Sequence, residues 1–167
     1  MLLRRSNLDT DEPRRPRPNR SPLSRAIALL ARRDHSRAEL YRKLSRHVRE
    51  DDDPGGIERV LDELSRSGLL SDQRFASAVA RSRSQRFGDA RIRYDLRKFG
   101  VADDLTATVL GRLSETEVSR ADRVRAKRFA ALPASAAEHA KQARFLQSRG
   151  FSLESVYRVL RGRVDTE

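Results

Sequence analysis

The chain has 167 residues, 36 of them Lys or Arg against 24 Asp or Glu, for a formal net charge of +12. The absence of cysteine excludes disulfides and thiolate metal sites, and 37% hydrophobic with 5% aromatic residues leaves too little for a large globular core. No run is apolar enough to span a bilayer and the first residues lack the apolar segment of a secretory signal, so a cytoplasmic chain of short amphipathic helices is expected.

Residues 1–21 set Pro13, Pro16 and Pro18 among arginines with few apolar residues, the composition of a disordered arm. Ser21-Pro22 opens a first helix with Ala26, Ile27, Leu30 and Ala31 as its apolar stripe. Ser36-Arg37-Ala38-Glu39 reads as a capping box that starts a second helix, with Leu40, Tyr41, Leu44 and Val48 facing inward. The run from Glu50 through Asp51, Asp52, Asp53 and Pro54 to Gly55-Gly56 ends it as an acidic solvated loop, with no calcium-loop spacing. A third helix carries Ile57, Val60, Leu61 and Leu64 and closes at Gly68.

Ser71 caps a fourth helix, in which Phe75, Ala78, Val79 and Ser82 step at three- and four-residue intervals. Beyond Phe87-Gly88 a fifth has Ile92, Leu96 and Phe99 on one face, with Tyr94 off that stripe. It ends at Gly100, a residue suited to the left-handed C′ position. Leu105, Val109, Leu110 and Leu113 mark a sixth helix. Ser114-Glu115-Thr116-Glu117 is a second capping box, opening a seventh with Val118, Ala121, Val124 and Phe129. Ser135-Ala136-Ala137-Glu138 starts an eighth that runs through Ala143 and Leu146 to Gly150, and Leu153, Val156 and Leu160 form a ninth. No segment reads as a strand.

A repeat organises these helices. Leu96, Gly100, Val109 and Leu110 recur fifty positions later as Leu146, Gly150, Val159 and Leu160, and Leu44, Val60, Leu61 and Leu64 align with Leu96, Val109, Leu110 and Leu113. The expected fold is all-α, about nine helices in three tandem three-helix units forming an elongated, curved array. The units are placed at residues 22–70, 71–113 and 114–162, with 163–167 as a tail.

The same residues carry a family resemblance. The stretches from Ala26 to Ser36 and from Glu39 to Leu44, Leu61-Asp62-Glu63-Leu64, Gly68-Leu69-Leu70-Ser71-Asp72 and Arg74-Phe75-Ala76 resemble RecX, the bacterial modulator of the RecA recombinase. Arg81, Arg86, Gly88, Ile92, Leu96 and Gly100 complete the central signature, and the resemblance covers about residues 24 to 162. It implies tandem three-helix repeats and no enzymatic activity. It also implies binding to RecA filaments that restrains ATP hydrolysis, strand exchange and coprotease function, with roles in DNA repair, recombination and the SOS response.

The residues show no catalytic constellation. His35, His47 and His139 stand apart, and Gly55-Gly56 lacks the lysine and serine of a phosphate loop. Glu58, Asp62 and Glu63 read as a wet helix face, and Phe75, Phe87 and Phe99 as core rather than base-stacking platforms. No metal or cofactor is called for.

Residues 71–113 hold 9 basic and 5 acidic groups, and 114–167 hold 11 and 7, so the surplus is not confined to a tail. A polyanion or an acidic protein surface is the expected partner. The candidate contact residues are Arg81, Arg86, Arg91, Arg93, Arg97 and Lys98 in the densest basic stretch. Asp89 and Asp95 are too few to neutralise them. The favoured partner is a RecA filament on DNA, engaged by a monomer, with weak non-specific DNA contact. The alternative is a DNA-binding regulator of helix-turn-helix type, for which Gln73 and Gln85 are the only base-reading candidates in the central unit.

Overall fold

Serine and glycine punctuate the chain. In a computed structural model, which describes residues 21–47, 53, 55–113 and 117–161, the described residues form nine α-helices and no strand. These are α1 (Pro22–Leu30), α2 (Arg37–Ser45), α3 (Gly56–Arg66), α4 (Asp72–Ser84), α5 (Asp89–Lys98), α6 (Asp103–Gly111), α7 (Glu117–Ala126), α8 (Ala136–Ser148) and α9 (Leu153–Leu160). Residues 1–20, Val48, most of the acidic loop, Ser114–Thr116 of the second capping box and the tail lie outside the described residues.

Five helices begin at a serine whose hydroxyl accepts a backbone N–H three residues on. They are Ser21, Ser36, Ser71, Ser135 and Ser152, at 3.0–3.2 Å. Gly68, Gly100 and Gly150 are the described residues with positive φ, at 73°, 78° and 81°. Behind Gly100 and Gly150 the next N–H returns to the third-last helical carbonyl, Val101 to Leu96 at 3.1 Å and Phe151 to Leu146 at 3.3 Å. The buried side chains of Val101 and Phe151 then pack into the core beside Leu96 and Leu146. The fifty-residue Leu-to-Gly spacing is thus the sequence trace of a helix-ending turn made twice.

Each triplet of helices has its own core. Ala26, Leu40, Leu44, Ile57, Leu61, Leu64 and Leu70 form the first, from α1–α3. Phe75, Ala76, Ala80, Ile92, Leu96, Val101, Val109 and Leu110 form the second, from α4–α6, where Phe75 meets Phe99 edge-to-face at 5.3 Å. Val118, Ala121, Val124, Leu146, Phe151, Val156, Val159 and Leu160 form the third, from α7–α9. Every helix pair in extensive contact falls within one triplet. The fold is therefore an all-α array of three-helix repeats, with small cores in a row instead of one large one.

Several inward faces differ from the periodicity. In α1 the buried side is Leu23, Ala26, Leu29 and Leu30, while Ile27 is 46% exposed and Ala31 lies outside. In α4, Ala76 and Ala80 face the core and Ala78 and Ser82 face solvent, because two alanines let α4 approach both α5 and α6. Tyr41 and Leu153 are exposed, and Ser155 and Val159 take the inward side of α9. Helix α7 stops at Ala126, so Phe129 lies in the following turn and packs edge-to-face on Phe145 at 5.2 Å. Alanine and serine carry too little hydrophobic weight to fix a helical phase.

Glu39 departs from a reciprocal capping box. Its N–H is bonded to Ser36, but its buried carboxylate accepts from Arg33 at 2.6 and 3.1 Å and lies 3.0 Å from Lys43 Nζ and from His35 Nδ1. Burial by itself raises its pKa, but the hydrogen bonds from Arg33, Lys43 and His35 prevail and hold it at about 2. Burial likewise pushes His35 below its usual range, against the pull of Glu39.

Two junctions join the units, and they are built alike. At the first, the N-terminus of α2 meets unit two: Arg37 N–H donates to Asp72 Oδ1 at 2.7 Å and Ser36 Oγ to the Phe99 carbonyl at 2.6 Å. At the second, the N-terminus of α5 meets unit three: Asp89 N–H donates to Glu117 Oε1 at 2.9 Å, and Gly88 N–H to the Arg149 carbonyl at 3.0 Å. In each, the first N–H of a middle helix bonds a carboxylate on the first residue of the next unit's first helix. The same helix end rests on that unit's C′ glycine: a Cβ on Gly100 would collide with Ala38 Cβ, and one on Gly150 would lie 2.6 Å from Arg91 N and Cβ.

Candidate functional site

The basic surface rests on α4, α5 and the turn between them. Arg81 is exposed on α4, Arg86 follows its C-cap, and Arg91, Arg93, Arg97 and Lys98 lie along α5, all exposed but the half-buried Arg93. Phe87, half-buried against the second core, gathers three guanidinium groups around its ring: Arg83 at 5.6 Å, Arg91 at 5.8 Å and Arg86 at 5.9 Å from its centroid. Arg91 also lies over the exposed Tyr94 at 5.6 Å. Cations over aromatic faces are held in place without being neutralised.

Carboxylates divide the remaining residues. Arg97 grips Asp103, with Nη2 at 3.0 and 3.2 Å from its two oxygens, and Arg91 lies 3.4 Å from the buried Asp95, which also meets Arg83 at 3.5 Å. Asp103, outside the helix that carries the arginines, supplies a counter-charge that the local count of Asp89 and Asp95 does not include. Asp89 is itself committed to Arg120. The structure thus brings Arg86 and Arg91 together around Phe87, sets Arg81 apart on α4, and leaves Arg91 and Arg97 each in an ion pair.

Three clefts beside these residues have no acidic side chain in their walls among the described residues. One of about 410 Å³ lies between units two and three, bounded by Gln85, Arg86, Lys127, Arg128, Phe145 and Arg149, with Arg149 stacked 4.3 Å over Phe145. A second of about 400 Å³ is bounded by Ser77, Arg81, Arg112 and Arg120, and a third runs along α4 past Gln73, Arg74, Ser77 and Arg81. Focused positive potential in such clefts draws anions. Arg112, Arg120, Lys127, Arg128 and Arg149 were not among the sequence candidates. Arg112 caps α6 and meets Arg81 through the packing of α6 on α4, whereas Arg120 in α7, Lys127 and Arg128 in the turn after it and Arg149 capping α8 come beside Arg81 and Arg86 only through the stacking of units two and three.

Arg74 has a structural task. Its guanidinium donates to the Gly68 and Leu69 carbonyls at 3.0 and 2.9 Å and to Asp34 at 2.9 Å, closing the end of α3 and tying unit one to unit two. His35 is buried against Glu39, and Ser155 is bonded to Glu117. Among the described residues no group of three or more His, Cys, Asp or Glu is placed to hold a metal ion, and no helix is long and apolar enough to cross a membrane.

Comparison with known proteins agrees with this architecture. A family model described as the second three-helix domain of RecX matches residues 71–110, and one described as the third three-helix domain matches residues 115–160. Proteins named Regulatory protein RecX from Leptothrix cholodnii and Ralstonia nicotianae are 47% and 42% identical over 145 and 146 residues. Those alignments cover 87% and 86% of this chain and 90% of each relative. The crystal structure of RecX from Lactobacillus salivarius superposes with a TM-score of 0.71 at 19% identity, covering 85% of this chain and 94% of that one. A second crystal structure, of regulatory protein RecX, gives 0.68 at 22% identity over 84% of this chain and 71% of that one. The structural matches speak for the fold and the sequence matches for kinship: the chain belongs to the RecX family of regulatory proteins.

Proposed function

We propose that this chain is a non-enzymatic regulator that lies along a RecA–DNA filament and restrains its ATPase, strand-exchange and coprotease activities. The observation that supports this reading is the row of basic clefts on units two and three, opening beside Arg81 and Arg86 and lined by no acidic side chain among the described residues. A filament offers the same anionic surfaces at every protomer, so an array of units gains by touching several at once. In this reading the units divide at residues 70/71 and 113/114, the chain acts as a cytoplasmic monomer, and Arg81, Arg86, Arg91, Arg93, Arg97 and Lys98 face the filament. Arg97 contributes least, since Asp103 already holds it.

The test is ATP turnover by RecA on single-stranded DNA, titrated with wild type and with an Arg81→Ala/Arg86→Ala/Arg93→Ala variant at two salt concentrations. The variant is expected to keep its helicity and to need about tenfold more protein for half-inhibition, an effect that shrinks as salt rises. Equal inhibition by both proteins removes this face from the mechanism. Tight, sequence-selective duplex binding without RecA would instead favour a DNA-binding regulator that reads bases through Gln73 or Gln85.

A further inference from the structure

We propose that the cleft between α4, α6 and α7 is a seat for the phosphates of a single-stranded nucleic acid, with Arg81 and Arg112 as its cationic walls. Arg120 is 3% exposed, yet it lines this opening of about 400 Å³. Its Nη2 pairs with Asp89 and its Nη1 donates to the Phe87 carbonyl at 3.2 Å, while its buried Nε has no partner among the described residues. A buried guanidinium with an unmatched donor is costly, and Arg120 keeps its place beside the opening through Asp89 and the Phe87 carbonyl. Arg81 and Arg112 form no ion pair among the described residues, and Ser77 adds a hydroxyl beside them. Arginine forks match phosphate oxygens two at a time.

A strand suits the site better than a small anion because the cleft does not end there. Ser77 and Arg81 also line the neighbouring cleft, which continues along α4 past Arg74 and Gln73 to Ser71. From Ser71 to Ser84 the helix axis runs about 20 Å, room for more than one phosphate of an extended single strand. This proposal goes beyond the filament reading and does not depend on it, because the seat acts on nucleic acid without RecA.

The experiment measures fluorescence anisotropy of a labelled 20-nucleotide single strand, without RecA, across a salt series (about 20 nucleotides exceed the track length). Wild type is compared with Arg81→Ala/Arg112→Ala, Arg81→Lys/Arg112→Lys, and the charge-matched Arg66→Ala/Arg144→Ala, whose sites are exposed on units one and three. The alanine pair is expected to bind about tenfold more weakly, and the slope of log affinity against log salt to shrink by about 0.7 for each phosphate no longer neutralised. The lysine pair should recover part of the affinity, keeping the charge without the fork. An equal loss in the charge-matched control overturns the proposal, since net charge alone would then explain binding. Displacement of the strand by inorganic phosphate or a nucleoside triphosphate at equal phosphate concentration overturns the strand assignment. Equal displacement by polyglutamate overturns phosphate itself. Failure on any of these counts leaves RecA inhibition to be judged by its own assay.

Discussion

The two junctions share a plan but are made of different parts. At the first, side chains mediate: the Ser36 hydroxyl reaches Phe99, and the Ala38 methyl rests against Gly100. At the second, backbones touch directly: Gly88 N–H bonds the Arg149 carbonyl, Ala90 N–H the Gly150 carbonyl at 3.2 Å, and a Cβ on Gly88 would collide with Gly150 O and Phe151 Cα. The second junction also buries Arg120, whereas the corresponding work at the first is done by Arg74 with a half-exposed side chain. An interface made of backbone tolerates no added atom, while one made of small side chains can be trimmed and refitted.

The largest expected effect breaks that comparison at its glycines. Gly100→Ala and Gly150→Ala each combine left-handed strain with a collision, together about 2–5 kcal/mol of destabilisation. Thermal melting should then separate them. Ala38→Gly relieves the collision in Gly100→Ala, but Arg91→Gly does not relieve Gly150→Ala, because the backbone N of residue 91 remains 2.6 Å from the new methyl. Rescue at both sites would show that the junctions are equivalent. Gly68→Ala, with open space around it, should lose only about 1–2 kcal/mol.

A smaller effect tests the carboxylates. Glu117 accepts from Asp89 N–H through one oxygen and from Ser152 N–H and the Ser152 and Ser155 hydroxyls through the other, so Glu117→Gln must turn its amide donor toward a backbone N–H on either side. A loss of about 1–3 kcal/mol is expected, against about 0.5–1.5 for Asp72→Asn at the first junction. Equal losses in chemical denaturation would contradict the closer fit of the second junction.

The smallest effect is a dependence on pH. His35 has a lowered folded-state pKa, so its contribution is present above 6.5 and is lost as pH falls through the folded value. Glu39 is held at about 2 against an ordinary 4.5, so its contribution persists above 4.5 and is lost between 4.5 and about 2. Burial pushes the Glu117 carboxyl up, but bonds from Ser152, Asp89 N–H and Ser155 hold it below its usual range, placing its loss in the same acid region. Melting temperatures of Glu39→Gln and Glu117→Gln should each show a flatter acid limb than wild type, and His35→Gln should flatten only the limb that begins near neutrality. An unchanged profile in all three would mean that other groups govern acid unfolding.

What the sequence determined by itself is the local grammar. Serine caps, left-handed glycines and the leucines ahead of them are decided within a few residues, because cap hydrogen bonds and φ preferences are local. That made the nine helices, the repeat and the family legible, with the strongest residues, Phe75, Ile92, Leu96 and Leu146, correctly inside. Tertiary structure alone decided the rest. Which side of α1 or α4 turns inward depends on alanines and half-buried leucines, whose small differences in burial energy are settled by the neighbouring helices. Which arginines remain available depends on partners distant in sequence: Asp103 takes Arg97 and Asp89 takes Arg120. Arg112 comes beside Arg81 through the packing of α6 on α4 within unit two, and Arg120 joins their cleft only because α7 belongs to the next unit stacked against it. Thirty-two arginines look alike in a string of letters; Coulomb interactions and desolvation tell them apart only once the chain has folded.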